Sequence, residues 1–116
     1  MRSSKIYHNA YFWLENPNNL QDKEYFLACL KKFLDVSIYA NQAMITQQPK
    51  SKNTIVESGY TFSLMVTFDS KRQHELFKEE DAHKDFVNEV SSLWRKVDVF
   101  NTEEVWSNAV YYAQTA

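Results

Sequence analysis

Hydrophobic and polar residues alternate most clearly in two segments, which predicts two strands with well-defined faces. The first segment covers residues 6–15 and carries large side chains on both faces. The second begins after Gly59 and ends at Phe68. Because successive side chains of a strand point to opposite sides of the sheet, each strand offers one face to a layer of helices. The predicted helix-facing residues are Ile6, His8, Ala10, Phe12 and Leu14 in the first strand, and Tyr60, Phe62, Leu64, Val66 and Phe68 in the second.

Helical spacing of apolar residues follows the first strand and also follows the second. Residues 20–34 form the clearest helical pattern, and Asn19 before them is a favourable N-cap. After the second strand, Ser70 and Gln73 have the spacing of a capping box. The remaining predicted elements are a weaker strand at 37–48, a polar loop at 49–58, helices at 71–80 and 81–93, and a last strand at 95–101.

The predicted order is β-α-β-β-α-β, with the second helical segment divided in two. This order is typical of ferredoxin-like α+β folds, in which a four-stranded antiparallel sheet carries its helices on one face. We expect one domain over residues 5–101. Residues 102–116 are interpreted as a C-terminal extension, and the pattern does not settle their conformation.

The opposite face of the predicted sheet has no helix left in the chain to cover it. Four large side chains are expected there: Tyr7, Tyr11, Trp13 and Met65. An exposed aromatic patch of this kind usually marks a partner surface. We therefore predict a homodimer in which two sheets pack face to face.

Composition narrows the function classes. The 116 residues include 13 basic and 15 acidic side chains, with a net charge of −2 and no long basic run, so nucleic acid is not an expected partner. The single cysteine excludes an internal disulfide, and the single glycine excludes a glycine-rich phosphate loop. No apolar window is long enough to span a membrane, so we expect a cytoplasmic protein.

The patterns around the remaining reactive residues do not by themselves predict a metal site or a catalytic site. The three histidines lack the spacing of metal ligands, so we expect no metal and no cofactor. His74 has charged neighbours and is expected to be solvated. Cys29 has apolar neighbours at helical spacing and is interpreted as an inert core thiol. The run Glu79-Glu80-Asp81 is interpreted as helix capping and solvation rather than as a catalytic pair.

Three stretches together resemble the stress-responsive α/β-barrel, or Dabb, family. They are Tyr7-His8-Asn9-Ala10-Tyr11-Phe12-Trp13-Leu14, then Gly59 to Ser70 with its ending Thr67-Phe68-Asp69-Ser70, and then Phe77 to Val87 with the pair Ala82-His83. The resemblance covers residues 5–101. It implies a ferredoxin-like monomer whose sheet packs on its twin to form a dimeric α/β barrel.

One plant member of that family is a cofactor-free polyketide cyclase. Only some of its active-site residues have a chemically equivalent residue at the matching position of this chain. Its catalytic histidine matches His83, and a second pocket histidine matches His8. Its two pocket tyrosines fall at Phe77 and near Cys29, so both hydroxyls are missing from this chain. The resemblance implies a pocket that includes Phe12, Cys29, Tyr60 and Phe77.

Two function classes therefore stay open. The first is a non-catalytic homodimer that binds a small apolar ligand between sheet and helices. The second is a cofactor-independent enzyme of the cyclase or lyase type, with His83 as general base and His8 as the orienting group. Heme-degrading or quinol-oxidising monooxygenases share the fold, but only analogy of fold supports that third class.

Overall fold

The computed structural model describes residues 5–49 and 59–108. The predicted loop at 49–58 lies outside these residues except for Pro49, and so does the predicted C-terminal extension from residue 109 onward. The described elements are β1 (Ile6–Leu14), α1 (Leu20–Val36), β2 (Gln42–Thr46), β3 (Phe62–Phe68), α2 (Lys71–Glu79), α3 (Asp81–Val90) and β4 (Trp94–Glu103).

The four strands form one antiparallel sheet in the order β2-β3-β1-β4. This arrangement confirms the predicted ferredoxin-like α+β fold and the division of the second helical segment. Ala10 in the middle of β1 lies between Leu64 of β3 and Val99 of β4. β1 is therefore a central strand, and its side chains have neighbours on both sides.

β2 and β4 differ most in length from the sequence prediction, and β3 begins later than predicted, at Phe62. β2 has only five residues, and its side chains are exposed or half-buried, since it lies at the edge of the sheet. β4 continues to Glu103, where it still pairs with Ile6 at the start of β1. The pairing along the full length of β1 extends this strand into the segment that the sequence assigned to a C-terminal extension.

Strand alternation in β1 separates the two faces of the sheet as predicted. The even-numbered residues from Ile6 to Leu14 are all buried, and the odd-numbered ones from Tyr7 to Trp13 are all half-buried. The helices cover the even-numbered side only, where apolar residues of β1, β3 and all three helices form one core. We call the even-numbered side the inner face and the other side the outer face.

The helices begin where their capping residues predict. The Asn19 side chain accepts a hydrogen bond from the Asp22 amide, and the Ser70 side chain accepts one from the Gln73 amide. Glu80 separates α2 from α3, but its carboxylate is not simply solvated. It accepts hydrogen bonds from the Ser37 hydroxyl and from the Ile38 amide at 3.1 Å, and so ties the end of α1 to the α2–α3 junction.

The core beneath the helices is built mainly from phenyl rings. Phe26 of α1 is fully buried, and its ring stacks on Phe62 at 5.7 Å and meets Phe12 and Phe86 edge-on. A second group of rings surrounds Phe77 of α2, which contacts Phe33 and Phe68. Aromatic pairs at these distances stabilise a core beyond their buried area.

Candidate functional site

A cavity of about 280 Å³ lies between the inner face of the sheet and the helices. Strands β1 and β4 form most of its floor, β3 contributes Leu64, and the three helices form its walls. The lining residues are His8, Ala10, Phe12, Phe33, Leu64, Phe77, Lys78, His83, Phe86, Val87, Trp94, Val97, Val99 and Asn101. Most of these side chains are apolar, and the polar ones are two histidines, a lysine and an asparagine.

His8 is held at the polar end of the cavity by its neighbour on β4. The antiparallel register places Asn101 directly opposite His8, and the Asn101 Oδ1 atom lies 2.8 Å from Nδ1 of His8. In the tautomer that fits this contact, Nδ1–H donates to the amide oxygen. Nε2 of His8 is then an unprotonated nitrogen that can act as a base.

His74 of α2 is the second partner of His8. Its Nε2 atom lies 3.2 Å from Nδ1 of His8, and the two ring centroids are 5.2 Å apart. His74 is only 8% exposed, so the expectation that it is solvated is wrong. The available sequence signal was its spacing of three residues from Phe77, since positions i and i+3 share one face of a helix.

His83 enters the cavity from the first turn of α3. It is half-buried, and its ring lies 5.7 Å from that of Phe33 and 6.1 Å from that of Phe77. The Phe77 ring also lies 5.8 Å from that of His8. The structure therefore brings His8 and His83 to one cavity, with the phenyl ring of Phe77 in contact with both.

All three histidines are held toward the neutral form. Burial lowers the pKa of His8, with smaller contributions from the charges of His83 and Lys78, while the hydrogen bond to Asn101 opposes the change. Burial also lowers the pKa of His74, assisted by His8 and Lys78. The pKa of His83 falls mainly because of burial, and Glu80 opposes this change.

The structure places two of the expected pocket residues away from the cavity lining. Phe12 and Phe77 line the cavity, whereas Cys29 is buried in the core of α1 and is not among the lining residues. Tyr60 packs its ring against Tyr11 at 5.0 Å and Trp13 at 6.3 Å, on the outer side of the sheet. Strand alternation placed Tyr60 on the inner face, but β3 begins only at Phe62, so Tyr60 does not follow that alternation.

The four residues expected at a dimer interface lie together on the outer face. Tyr7, Tyr11 and Trp13 alternate along β1, and Met65 pairs with Asn9 between them. All four are half-buried. Lys96 of β4 places its ammonium 4.6 Å from the centre of the Trp13 ring, which is a cation–π contact.

Lys78 and Asn101 are lining residues that the sequence reasoning missed. Lys78 is an exposed residue beside Phe77, and its charge acts on all three histidines. Asn101 becomes a partner of His8 only through the register of β1 and β4, which no local pattern reveals.

Within residues 5–49 and 59–108, no group of three or more His, Cys, Asp or Glu side chains is placed to hold a metal ion. None of the helices in these same ranges is long and apolar enough to cross a membrane.

A family model described as the stress responsive A/B barrel domain, Dabb, matches residues 6–104. The chain belongs to the Dabb family. The match includes every residue that lines the cavity and ends one residue after β4.

Solved structures similar to this Dabb chain share its fold at low sequence identity. A Dabb protein with a ferredoxin-like fold from Mesorhizobium loti is 17% identical, covers 90% of this chain and 100% of its own, and has a TM-score of 0.74. A hydroxynitrile lyase from Passiflora edulis is 12% identical, covers 90% of this chain and 97% of its own, and has a TM-score of 0.74. A dimeric ferredoxin-like protein of unknown function from Thermobifida fusca is 11% identical, covers 88% and 92%, and has a TM-score of 0.71.

No curated protein matches the chain by sequence. The structural neighbours establish the ferredoxin-like fold, and their identities are too low to carry an activity to this chain.

Proposed function

We propose that this Dabb protein binds a small, mostly apolar molecule in the cavity between sheet and helices. The observation that carries the proposal is the cavity itself, which has a volume of about 280 Å³ and a lining dominated by aromatic and aliphatic side chains. Small-molecule sites combine such a lining with a few converging polar groups. The polar end formed by His8, Lys78, His83 and Asn101 supplies those groups here.

The size and charge of the cavity define the ligand class. An apolar cavity of about 150 Å³ accommodates benzene, so the volume here suits one ring or a short chain with substituents. Lys78 carries a positive charge, and the neutral histidines offer both hydrogen-bond donors and acceptors. The fitting ligand is a single-ring or short-chain compound with one carbonyl or carboxylate group at the polar end.

The binding test compares two variants that carry the same substitution. Val87 lines the cavity, and Val87→Phe places a ring in the space that the ligand would occupy. Val36→Phe adds the same ring at an exposed position of α1 outside this cavity. A panel of substituted benzoates and short aliphatic ketones is offered to each protein, and binding is measured by native mass spectrometry and by thermal shift.

Binding that is retained in Val36→Phe and lost in Val87→Phe supports the cavity as the site. Equal binding in both variants would place the ligand elsewhere, and the absence of binding by the unmodified protein across the panel would contradict the ligand class.

We also propose that the protein is a homodimer whose outer faces pack together. Tyr7, Tyr11, Trp13 and Met65 form a half-buried apolar surface, and Met44 and Phe100 beside it are 50% and 58% exposed. A second copy related by a two-fold axis would present the same patch and cover these side chains. The dimeric protein from Thermobifida fusca with the same fold supports this choice.

Light scattering coupled to gel filtration tests the assembly directly. A mass of two chains at micromolar concentration is the expected result. A mass of one chain, unchanged as the protein is concentrated, would contradict the proposal.

A second candidate function is a cofactor-independent lyase or cyclase reaction in the same cavity. The observation in its favour is that His8 and His83 line one cavity and that burial lowers the pKa of both rings, which favours the neutral form. A neutral imidazole can remove a proton from a substrate carbon, so His83 would be the general base and His8 the orienting group. The hydroxynitrile lyase from Passiflora edulis has the same fold.

Phe77 limits this second function because a phenyl ring has no exchangeable proton to return to the substrate. The test assays turnover of hydroxynitriles and of linear β-keto substrates by the unmodified protein, by His83→Ala and by Phe77→Tyr. Turnover that disappears in His83→Ala would establish the enzyme. The absence of turnover in all three proteins, together with a bound ligand, favours the binding function.

A further inference from the structure

His74 and His8 lie between two depressions on the same molecule. His8 lines the cavity, whereas His74 lines a second depression on the outside of α2 and β4. We call this second depression the outer groove. Its lining residues are Ile6, Lys71, His74, Glu75, Lys78, Asn101, Thr102 and Glu103, and most of them are exposed to solvent.

The contact between the two rings links a residue of the groove to a residue of the cavity through two titratable side chains. Nε2 of His74 lies 3.2 Å from Nδ1 of His8, which is within the range of a hydrogen bond between ring nitrogens. Asn101 lies 2.8 Å from the same Nδ1 atom and lines both depressions. His8 and His74 are both buried, so exchange of protons through bulk water at their point of contact is restricted.

We propose that His74 and His8 form a proton relay that joins the outer groove to the cavity. His8 takes up a proton at Nε2, and its Nδ1 proton, for which Asn101 Oδ1 and His74 Nε2 are both acceptors within hydrogen-bond distance, passes to Nε2 of His74. His74 then releases its own Nδ1 proton to water in the groove. One proton enters, one leaves, and each ring ends in its other neutral tautomer, from which the reverse passage restores the first state.

The charges around the pair allow one added proton at a time. Lys78 of α2 and His83 of α3 disfavour the cation on His8, and Lys78 also disfavours it on His74. Glu75 of α2 favours the cation on His74, on the groove side of the pair. Lys71 of α2 and Glu103 of β4 complete the charged lining of the groove, and Asn101 is the neutral partner from β4. A proton on either ring repels a second proton on the other ring, so the pair titrates in two coupled steps.

The relay uses the cavity of the proposed function, but its test requires no ligand, so the two proposals fail separately. Full-length protein with isotope-labelled histidine rings is studied by NMR. The tautomer of each ring is followed from about pH 8 to about pH 5, and exchange of the His8 ring proton with water is measured by magnetisation transfer. We expect the His8 and His74 signals to titrate together and the His8 ring proton to exchange readily.

Two substitutions separate a relay from simple positioning. His74→Gln keeps a side chain that can hydrogen-bond to Nδ1 of His8 but cannot pass a proton on, whereas His74→Phe removes the hydrogen bond as well. Glu79→Gln at an exposed position of the same helix is the control. We expect the exchange rate of the His8 ring proton to fall by about tenfold or more in both His74 variants and to stay unchanged in the control.

An exchange rate that survives in His74→Gln and falls only in His74→Phe would show that His74 merely positions His8, and this would overturn the relay. Independent titration of His8 and His74 in the unmodified protein would overturn it as well. That second measurement needs no substitution, so it applies even where a variant fails to fold.

Discussion

The inner and outer faces of the sheet are built from alternate residues of the same strands, but a single chain completes only the inner face. On the inner face, β1 buries every side chain from Ile6 to Leu14 that points toward the helices. On the outer face, the alternating side chains of β1 stay half-buried, and Met44 and Phe100 beside them are at least half exposed. The helix-covered side therefore supplies the core of the fold, and the outer face offers the surface on which the proposed dimer would form.

The two faces also differ in chemistry. The side of the sheet that the helices cover contains the cavity and the histidines, whose pKa values are lowered by burial. The outer face has aromatic side chains with polar tips, such as the Tyr7 hydroxyl that donates to Glu104 at 3.2 Å. Such amphipathic rings tolerate water in a monomer and packing in a dimer. The proposed ligand site and the proposed dimer surface therefore use different side chains of the same strands.

The largest expected effect is a loss of stability when a phenyl ring is removed from the core between the helices and the inner face. Phe26 is 0% exposed and contacts the rings of Phe12, Phe62 and Phe86, so Phe26→Ala removes a ring that cannot be replaced by water. We expect the free energy of unfolding to fall by about 3–5 kcal/mol, measured by urea unfolding.

Leu20→Ala is the control because Leu20 lies on the same helix and is exposed. Its effect should stay within about 0.5 kcal/mol. Similar losses in the two variants would mean that α1 is not packed on the inner face as described.

The second-largest expected effect is a weaker dimer, caused by a substitution on the outer face that leaves the core residues unchanged. Trp13→Lys places a cation directly opposite Lys96 on β4 and within the proposed dimer interface. An uncompensated buried charge costs about 3 kcal/mol or more, so the dimer should weaken by about a hundredfold or more.

Light scattering over a dilution series measures this change, and circular dichroism checks that the chain stays folded. Trp13→Phe, which keeps an aromatic ring and adds no charge, should remain dimeric. A Trp13→Lys protein that is as dimeric as the unmodified protein would place the interface elsewhere.

The elements and the two faces were predictable because strand and helix periodicity is a local signal. The alternation of β1 and β3 gave the correct faces, and Asn19 and Ser70 gave the correct helix starts. Tyr60 shows where this reasoning ends, since alternation places a residue correctly only while it belongs to the strand.

The site was predictable only in part because its contacts join distant elements. His8 and His83 were found through the family resemblance, and both line the cavity. Asn101 lies 93 positions from His8 in the chain and reaches it only through the register of β1 and β4. His74 had charged neighbours in sequence, and only its packing against β1 reveals that it is buried.

A third, smaller effect is a pH dependence of stability, which we expect from the histidines on the helix-covered side of the sheet. The pKa values of His8, His74 and His83 lie below the ordinary value of 6.5, mainly because of burial. A group with a lowered pKa in the folded state contributes full stability above 6.5 and loses it as the pH falls toward the folded value. The free energy of unfolding should therefore decrease between about pH 7.5 and about pH 5.5.

Urea unfolding across this pH range measures the decrease, and His74→Gln should make it shallower because one lowered group is removed. Stability that is constant over the range, or that rises as the pH falls, would contradict the assignment of neutral histidines to the inner face.

The smallest expected effect is the difference in stability between two variants that add the same hydroxyl at buried positions of the helices. Phe77 lies within ring contact of His8 at 5.8 Å and His83 at 6.1 Å, so the hydroxyl of Phe77→Tyr has a ring nitrogen available as acceptor. Phe26 contacts other phenyl rings, so Phe26→Tyr buries a hydroxyl among them. We expect a loss of no more than about 1 kcal/mol at Phe77 and of about 1–3 kcal/mol at Phe26. Equal losses would mean that the histidine end of the cavity is no more polar than the phenyl core, and the case for a polar ligand group there would fall with it.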